Sequence, residues 1–294
     1  MQALAYAGPA RSYLFVPGNR PERFAKAAAS GAQALILDLE DSVPLAEKPA
    51  ARQAVALWLE TASSAVQAWV RVNPRSHPEH LFDLHHLTAR PTGLVLPKCE
   101  GLDELLAFDE VLGALEDRRG WPKRSLRVIV IATETARGMQ RIHTFDRPTP
   151  RLSGILWGAE DLAASLGVRS LKDRQGHYLS PALRARDAAL LASHACAVDA
   201  IDAVYTGLDD PLGLEAETQC HAALGFTAKA AIHPAQIPVI HRAQNPSEDD
   251  AAWAQEVITE LQDGARMSGR VRGNMVDQPH LHAARKILSA VQRA

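Results

Sequence analysis

Eight short apolar segments recur along the chain, and each is followed by a polar loop and a segment with helical spacing. The segments are almost continuously apolar, which is the pattern of strands buried on both faces. Eight such strands alternating with helices favour a closed parallel (β/α)8 barrel, a TIM barrel, over an open doubly wound sheet. The predicted strands are residues 11–17, 34–39, 68–72, 93–97, 126–131, 152–157, 201–205 and 226–232.

Helical segments separate these strands, and the pattern changes near residue 245. Residues 245–250, Asn-Pro-Ser-Glu-Asp-Asp, have the composition of a helix start. A Gly- and Arg-rich stretch at 264–274 and a last helix follow. We therefore predict a catalytic barrel over residues 1–244 and a helical arm or lid over residues 245–294. The clearest helical segments of the barrel are residues 21–30, 48–61, 102–116 and 180–198.

The composition is that of an ordinary globular chain. Of the 294 residues, 47% are hydrophobic and 22% are charged, and the formal net charge of −2 predicts no nucleic-acid-binding surface. No apolar stretch approaches the roughly 20 residues that span a membrane. The start of the chain lacks the basic and apolar segments of a signal peptide. The three cysteines are widely spaced and predict reduced thiols, so we expect a cytoplasmic protein.

Charged and polar side chains follow the predicted strands, and we call this set the rim. In a (β/α)8 barrel, catalytic groups come from the carboxyl ends of the strands. Charge concentrated there is costly unless the groups pair, hold a metal or bind an ionic ligand. The rim residues are Arg20, Asp38, Glu40, Asp41, Arg71, Asn73, Lys98, Glu134, Glu160, Asp161, Asp209, Asp210 and His233.

Glu134 and Asp161 are the predicted metal ligands, because they end adjacent strands and their carboxylates can converge on one ion. Carboxylate oxygens completed by water and substrate suit Mg²⁺, with Mn²⁺ as the alternative ion. The other interpretation is that each is an acid near a helix N-terminus that complements the helix dipole. The sequence has no HExxH motif and no Cys/His cluster with zinc spacing.

Arg71 lies inside an apolar strand, within Val-Arg-Val-Asn-Pro. Burying a charge without a partner is costly, so this position indicates a role. A guanidinium here can bind a carbonyl or enolate oxygen through two N–H groups. The alternative is a structural ion pair with the acids of residues 38–41. His233 ends the eighth predicted strand, where a catalytic role is open to it. A lone histidine is more often an ordinary hydrogen-bonding residue.

Seven motifs follow one another along the chain, each at a predicted strand end. They are Arg-Ser-Tyr-Leu-Phe-Val-Pro-Gly-Asn-Arg-Pro-Glu-Arg-Phe (11–24), Asp-Leu-Glu-Asp-Ser-Val-Pro (38–44), Val-Arg-Val-Asn (70–73), Leu-Pro-Lys-Cys-Glu (96–100), Thr-Glu-Thr-Ala-Arg-Gly (133–138), Trp-Gly-Ala-Glu-Asp-Leu (157–162) and Lys-Ala-Ala-Ile-His-Pro-Ala-Gln (229–236). In this order they resemble the citrate lyase beta-subunit family, which includes malyl-CoA and citramalyl-CoA lyases, within the HpcH/HpaI aldolase superfamily. The chain departs from the family pattern at Thr133 and Thr135 and in the loop 206–211.

The resemblance implies a Mg²⁺-dependent lyase of acyl-thioester substrates. Glu134 and Asp161 match the acids that bind the metal in the family, and Arg71 matches an arginine that contacts the substrate. Four other rim residues are expected to hold these three in position without contacting the ligand themselves: Asp38, Glu40, Asp41 and Lys98.

The resemblance also implies a site for coenzyme A, which is part of the substrate. Residues that contact CoA in the family match Phe15, Arg20 and Lys26. The pairs that line the ligand match Glu160-Asp161 and Ile232-His233.

The C-terminal Gly-Asn-Met-Val-Asp-Gln-Pro, residues 273–279, resembles the lid motif of the family. In the family an aspartate, matched by Asp277, acts as acid–base in a neighbouring subunit's site. The resemblance therefore implies a homo-oligomer, such as a homotrimer or a dimer of trimers. A lid also favours a stand-alone CoA lyase over a subunit that works on a carrier protein.

The implied reaction cleaves a 3-hydroxy-3-carboxyacyl-CoA thioester of the malyl-, methylmalyl- or citramalyl-CoA type to a 2-oxo acid and acetyl-CoA or propionyl-CoA, reversibly. The metal is expected to lower the pKa of the substrate hydroxyl, Arg71 to stabilise the enolate and Asp277 to protonate it. Three alternatives stay open: a citryl-carrier-protein lyase working with an acyl carrier protein, an aldolase of free hydroxy-oxo acids, and a non-catalytic binding or scaffold barrel. The acyl group is not selected, because one methylene changes discrimination by only ~1–3 kcal/mol.

Overall fold

The computed structural model describes residues 9–62, 66–147 and 149–291, and the chain divides into two compact units, residues 1–240 and 241–294. The first unit is a closed barrel of eight parallel strands, which confirms the predicted fold class. Each strand pairs with the next, and the first pairs with the eighth to close the barrel. The strands are β1 (Ser12–Pro17), β2 (Ala34–Asp38), β3 (Gln67–Arg71), β4 (Gly93–Leu96), β5 (Arg127–Ile131), β6 (Leu152–Leu156), β7 (Asp199–Asp202) and β8 (Ala228–Ala231).

Helices connect these strands, with short 3-10 turns at Pro21–Arg23, Leu45–Glu47 and Ile142–Thr144. None of the helices in the described ranges is long and apolar enough to cross a membrane. The helices are α1 (Phe24–Ala28), α2 (Lys48–Thr61), α3 (His80–His85), α4 (Leu102–Arg119), α5 (Ala136–Arg141), α6 (Glu160–Ser165), α7 (Ser180–Ala195), α8 (Pro211–Leu224) and α9 (Gln236–Ala243).

The barrel strands contribute to two separate apolar clusters, because successive side chains of a strand point to opposite faces. One cluster joins the strands to helices such as α2 and α4. The other contains strand residues such as Ile36, Trp69 and Ile129 without any helix residue, so it fills the barrel interior. The position of a side chain within its strand therefore decides whether it faces the interior or a helix.

Strand β7 differs from its prediction. The apolar run 201–205 predicts a strand there, whereas the strand is Asp199–Asp202. Tyr205 lies beyond it, where its hydroxyl donates a hydrogen bond of 2.6 Å to Asp210 Oδ2. An apolar run alone does not distinguish the strand from the rim residues that follow it.

The second unit contains α10 (Glu248–Glu260), β9 (Ser268–Val271), β10 (Asn274–Asp277) and α11 (Gln278–Val291), with a 3-10 turn at Gln262–Gly264. The predicted helix start is confirmed, because Ser247 and Asp250 form a capping box before α10. The Gly- and Arg-rich stretch is an antiparallel hairpin, which the sequence reading missed. Its two-residue loop, Arg272 and Gly273, has positive φ at both positions (48° and 85°), as a type I′ turn requires.

Candidate active site at the barrel rim

Asp38 and Arg71 occupy the last positions of β2 and β3 and lie directly opposite each other in the sheet. They alternate with Leu37 and Val70, so they share the interior face with Ile36 and Trp69. The barrel interior below them is filled by apolar side chains. Of the rim residues, this charged pair therefore lies next to the apolar interior of the barrel.

Arg71 forms a bidentate ion pair with Asp38. Its Nε lies 2.7 Å from Asp38 Oδ1, and its NH2 lies 2.7 Å from Oδ2. Although burial opposes ionisation of Asp38, the guanidinium holds the pKa of this carboxyl below its usual range. The Arg71 guanidinium also lies 4.9 Å from the centre of the Phe15 ring. The structural ion pair considered for Arg71 exists and includes Glu40, whose Oε2 lies 3.0 Å from NH1, although NH1 makes no hydrogen bond to a described residue.

Glu40 follows β2 and is a buried acid between two cations. Its Oε1 accepts a hydrogen bond of 2.6 Å from Lys98 Nζ. Its Oε2 lies 3.0 Å from Arg71 NH1, but this contact lacks hydrogen-bond geometry, so Oε2 has no hydrogen-bond partner among the described residues. Burial, partly offset by Arg71 and Lys98, raises the pKa of Glu40 to about 7.

Lys98 brings the two predicted metal ligands together. It follows β4 in a left-handed conformation, with φ of 50°. Its backbone N–H donates a hydrogen bond of 2.5 Å to Glu134 Oε2. Its Nζ lies 3.2 Å from Asp161 Oδ1 and 3.2 Å from Asp41 Oδ2. Burial opposes the charged ammonium, but the surrounding acids keep the pKa of Lys98 above its usual value.

Glu134 is buried beside other acids. Burial is the main cause that raises the pKa of this carboxyl well above its usual value, and the charges of Glu40 and Asp161 add to the effect. Gly158 packs against it, and a Cβ at that position would lie 3.1 Å from Glu134 Cγ. The Gly158 N–H donates a hydrogen bond of 3.0 Å to Thr133 Oγ1. The missing side chain at residue 158 leaves room for the Glu134 carboxylate.

The donor set of the rim fits a hard divalent cation. Glu134 and Asp161 supply carboxylate oxygens, the ligand type that Mg²⁺ prefers. Negative charge is concentrated here, because the charges of Glu40 and Asp161 add to the effect of burial on the pKa of Glu134, and Glu40 Oε2 is buried without a hydrogen-bond partner among the described residues, although it lies 3.0 Å from Arg71 NH1. A divalent cation would compensate that charge.

The residues predicted to contact CoA lie on β1 or in the connection that follows it. Phe15 lies on β1, Arg20 and Lys26 follow it in the connection through α1, and β1 pairs with β8. Arg20 and Lys26 are exposed. The remaining predicted ligand contacts are also exposed or half-exposed at strand ends: Glu160, Asp161, Ile232 and His233.

Asp277 belongs to the second unit, where it ends β10 and precedes α11. Its Oδ1 lies 2.6 Å from His280 Nδ1. Its predicted role as an acid of a neighbouring site stays a prediction.

A buried ionic network outside the rim was missed by the sequence reading. Asp202 Oδ2 lies 2.5 Å from Lys229 Nζ and 2.9 Å from His221 Nδ1, and Lys229 Nζ lies 3.0 Å from Glu217 Oε1. Asp202 and Lys229 alternate with the interior residues Ile201 and Ala228, so they face α8. A charge inside an apolar strand was the signal used for Arg71, and it would have found both residues.

This network contains Asp202, Glu217 and His221 with ligand atoms within 4.8 Å of one another, a spacing that suits a metal. Lys229 already supplies a positive charge to both acids. We therefore interpret the network as a packed ion cluster between strand and helix, and the rim as the metal-binding candidate.

The part of the chain that forms the barrel and its rim matches a known protein family. The HpcH/HpaI aldolase/citrate lyase family matches residues 11–234. A citrate lyase subunit beta-like protein of Mycobacterium tuberculosis is 37% identical over 286 residues, covering 97% of this chain and 96% of that protein. The mitochondrial citramalyl-CoA lyase of Mus musculus is 32% identical over 297 residues, covering 96% and 86%.

A solved structure of a similar protein also matches the fold of this chain. The crystal structure of the protein CitE from Mycobacterium tuberculosis, in complex with magnesium, acetoacetate and coenzyme A, superposes with a TM-score of 0.81. It is 36% identical and covers 98% of this chain and 99% of that one.

Proposed function

Because the chain belongs to the HpcH/HpaI aldolase/citrate lyase family and is a carbon–carbon lyase, we propose that it cleaves a 3-hydroxy-3-carboxyacyl-CoA thioester in a Mg²⁺-dependent reaction. The products are a 2-oxo acid and acetyl-CoA or propionyl-CoA, and the reaction is reversible. The observation that carries the proposal is the contact of Lys98 with both Glu134 and Asp161, beside the Arg71–Asp38 pair.

Glu134 and Asp161 would hold the cation at the rim. When bound, Mg²⁺ supplies a Lewis acid that lowers the pKa of a coordinated hydroxyl group. Gly158 keeps the space around the Glu134 carboxylate open. The crystallised relative whose complex contains magnesium and coenzyme A supports this ion and a CoA-containing ligand for the chain.

Arg71 is positioned to stabilise the negative charge that develops when the carbon–carbon bond breaks. Asp38 fixes the guanidinium through Nε and NH2, and the Phe15 ring lies against it. The N–H groups that Asp38 does not use can donate to an enolate oxygen. A donor fixed before the reaction costs no reorganisation during it, which is the main source of electrostatic catalysis.

The thioester end of the substrate would lie along the connection after β1. Arg20 and Lys26 are exposed cations there, suited to the phosphates of CoA. Asp277 would hold the proton that is delivered to the enolate carbon, as the family resemblance implies. His280 Nδ1 lies 2.6 Å from the Asp277 carboxylate and can keep that group oriented.

A variant of one metal ligand tests the proposal. Glu134→Gln keeps the side-chain shape but removes the charge, so we expect loss of Mg²⁺-dependent thioester cleavage with an unchanged circular dichroism spectrum. The assay measures acetyl-CoA or propionyl-CoA release from malyl-, methylmalyl- and citramalyl-CoA, with and without Mg²⁺. Full activity of Glu134→Gln would refute the assignment.

A second candidate is a citryl-carrier-protein lyase, favoured by the relative named as citrate lyase subunit beta-like. The same assay decides between the two when citryl thioesters of CoA and of an acyl carrier protein are added. Activity on the carrier thioester alone, or co-purification with a carrier protein, would select this second function. Cleavage of a CoA thioester without a carrier protein selects the first.

A further inference from the structure

Lys98 is the one rim residue whose described contacts reach both proposed metal ligands, Glu134 through the backbone and Asp161 through the side chain. Every substitution except proline keeps the backbone N–H that makes the first contact. The ammonium contact is different, because Nζ lies 3.2 Å from Asp161 Oδ1, within reach of the oxygens that a cation would use. A cation bound there must displace the ammonium or tolerate its charge at close range, and both reduce its affinity.

Glu40 and Asp41 hold the Lys98 ammonium on its other side. The Glu40 contact is the shorter at 2.6 Å, and the Glu40 side chain is 3% exposed, whereas that of Asp41 is 53% exposed. Solvent screens the Asp41 contact more strongly, so Glu40 is the principal anchor. The stronger this anchor, the more easily the ammonium leaves Asp161.

We propose that the Lys98 ammonium competes with the divalent cation for Asp161, and that Glu40 weakens this competition by holding the ammonium. The proposal rests on the proposed function, because it requires Glu134 and Asp161 to bind the cation. It assigns Lys98 and Glu40 as positioning residues that set the metal affinity of the rim.

The competition gives opposite signs for two substitutions. Lys98→Met removes the competing charge at nearly the same side-chain length, so the Kd for the cation should fall about three- to tenfold. Glu40→Gln removes the anchor and a nearby negative charge, so the Kd should rise about threefold or more. If both residues only supported the local structure, both substitutions would weaken binding.

A double variant separates the anchor from the simple loss of charge at Glu40. In the Lys98→Met background there is no ammonium to release, so Glu40→Gln should raise the Kd by a clearly smaller factor than in the wild type. An equal factor in both backgrounds would show that Glu40 does not act through Lys98.

The experiment is a Mn²⁺ titration of the full chain, in which free Mn²⁺ is followed by electron paramagnetic resonance at fixed pH and ionic strength. Lys98→Arg, which retains the charge, should stay near the wild-type Kd, as should Lys123→Met, which removes an exposed lysine of the loop after α4. A circular dichroism melt of each variant confirms the fold.

The outcomes separate the two proposals. An unchanged or higher Kd for folded Lys98→Met, with binding lost in Glu134→Gln, overturns the competition alone. A wild-type Kd for Glu134→Gln, or no Mn²⁺ binding by the wild type, overturns the metal site and the competition with it.

Discussion

At the residue scale, the rim places several carboxylates where water cannot screen them. Glu134 and Glu40 each have a raised pKa, mainly because burial disfavours the charged form. Arg71 and Lys98 offset part of this cost through direct contacts with Asp38, Glu40 and the backbone link to Glu134. An excess of buried acid that resident cations do not fully neutralise is the arrangement expected of a site that recruits a divalent cation.

Substitution of Gly158 tests whether the Glu134 side chain needs the space that the absence of a Cβ leaves. Gly158→Ala places a Cβ 3.1 Å from Glu134 Cγ, so the carboxylate must move by a few tenths of an ångström. We expect the Kd for Mn²⁺ to rise about threefold or more with little change in the melting temperature, because metal ligands tolerate small displacements poorly. Gly113→Ala in α4 is the control, since its Cβ would meet nothing closer than 3.9 Å. Equal metal binding by the two variants would mean that Gly158 does not constrain the ligand.

Asp199, at the start of β7, is predicted to make stability depend on pH. Burial raises its pKa to about 6, although Thr227 donates to it at 3.2 Å. The folded state therefore keeps a proton that the unfolded state loses near pH 4. The contribution of Asp199 is most favourable below that pH, declines as pH rises and is lost above about pH 6.

Asp199→Asn removes this titration. The variant should gain stability over the wild type between about pH 4 and pH 6 and keep a gain of about 1–2 kcal/mol above pH 7, a figure reduced for partial solvent screening. Urea unfolding at pH 5, 6 and 7.5 measures the difference. A gain that does not grow with pH would contradict the raised pKa.

At the scale of elements, β7, β8 and α8 are joined by the Asp202–Lys229–Glu217 cluster. Lys229→Met leaves two acids without their shared cation and should cost about 3–5 kcal/mol, because an uncompensated buried charge is expensive. Adding Asp202→Asn should recover part of the loss, giving a coupling energy of about 1–3 kcal/mol in denaturant unfolding.

The exposed pair Arg141–Asp103, with atoms 2.8 Å apart, is the matched control for this cycle. Solvent screening should leave it a smaller coupling energy than the buried pair. Equal couplings at the two sites would contradict a strong buried cluster.

The elements also show what the sequence could and could not predict. The alternation of apolar runs with helical segments predicted the barrel, because parallel strands buried on both faces have few other arrangements. The hairpin around Arg272–Gly273 was missed, since its strands have only four residues each and carry little apolar pattern. The link from Lys98 to Glu134 could not be predicted, because a backbone N–H has no sequence signature.

At the scale of the whole molecule, the second unit has its own apolar cluster, in which α10, the hairpin and α11 pack together. Within it, the hairpin carries Asp277 to the start of α11. The barrel unit contains Glu134, Asp161 and Arg71. The proposed function therefore draws on groups of both units, the metal ligands and Arg71 from the first and Asp277 from the second.

Mixed assemblies test whether Asp277 completes a neighbour's site. Asp277→Ala and Glu134→Gln should each be inactive alone, since one lacks the proton donor and the other a metal ligand. If Asp277 acts in the adjacent subunit of a closed ring, a site works when its own chain carries Glu134 and its neighbour carries Asp277. In a three-membered ring that carries both tags, one site in three meets this condition, so about a third of the wild-type activity should return. The mixture is made by co-expression with two different affinity tags and is assayed after purification on both. A mixture as inactive as the single variants would mean that Asp277 acts within its own subunit, and full activity of Asp277→Ala alone would mean that Asp277 takes no part in the reaction.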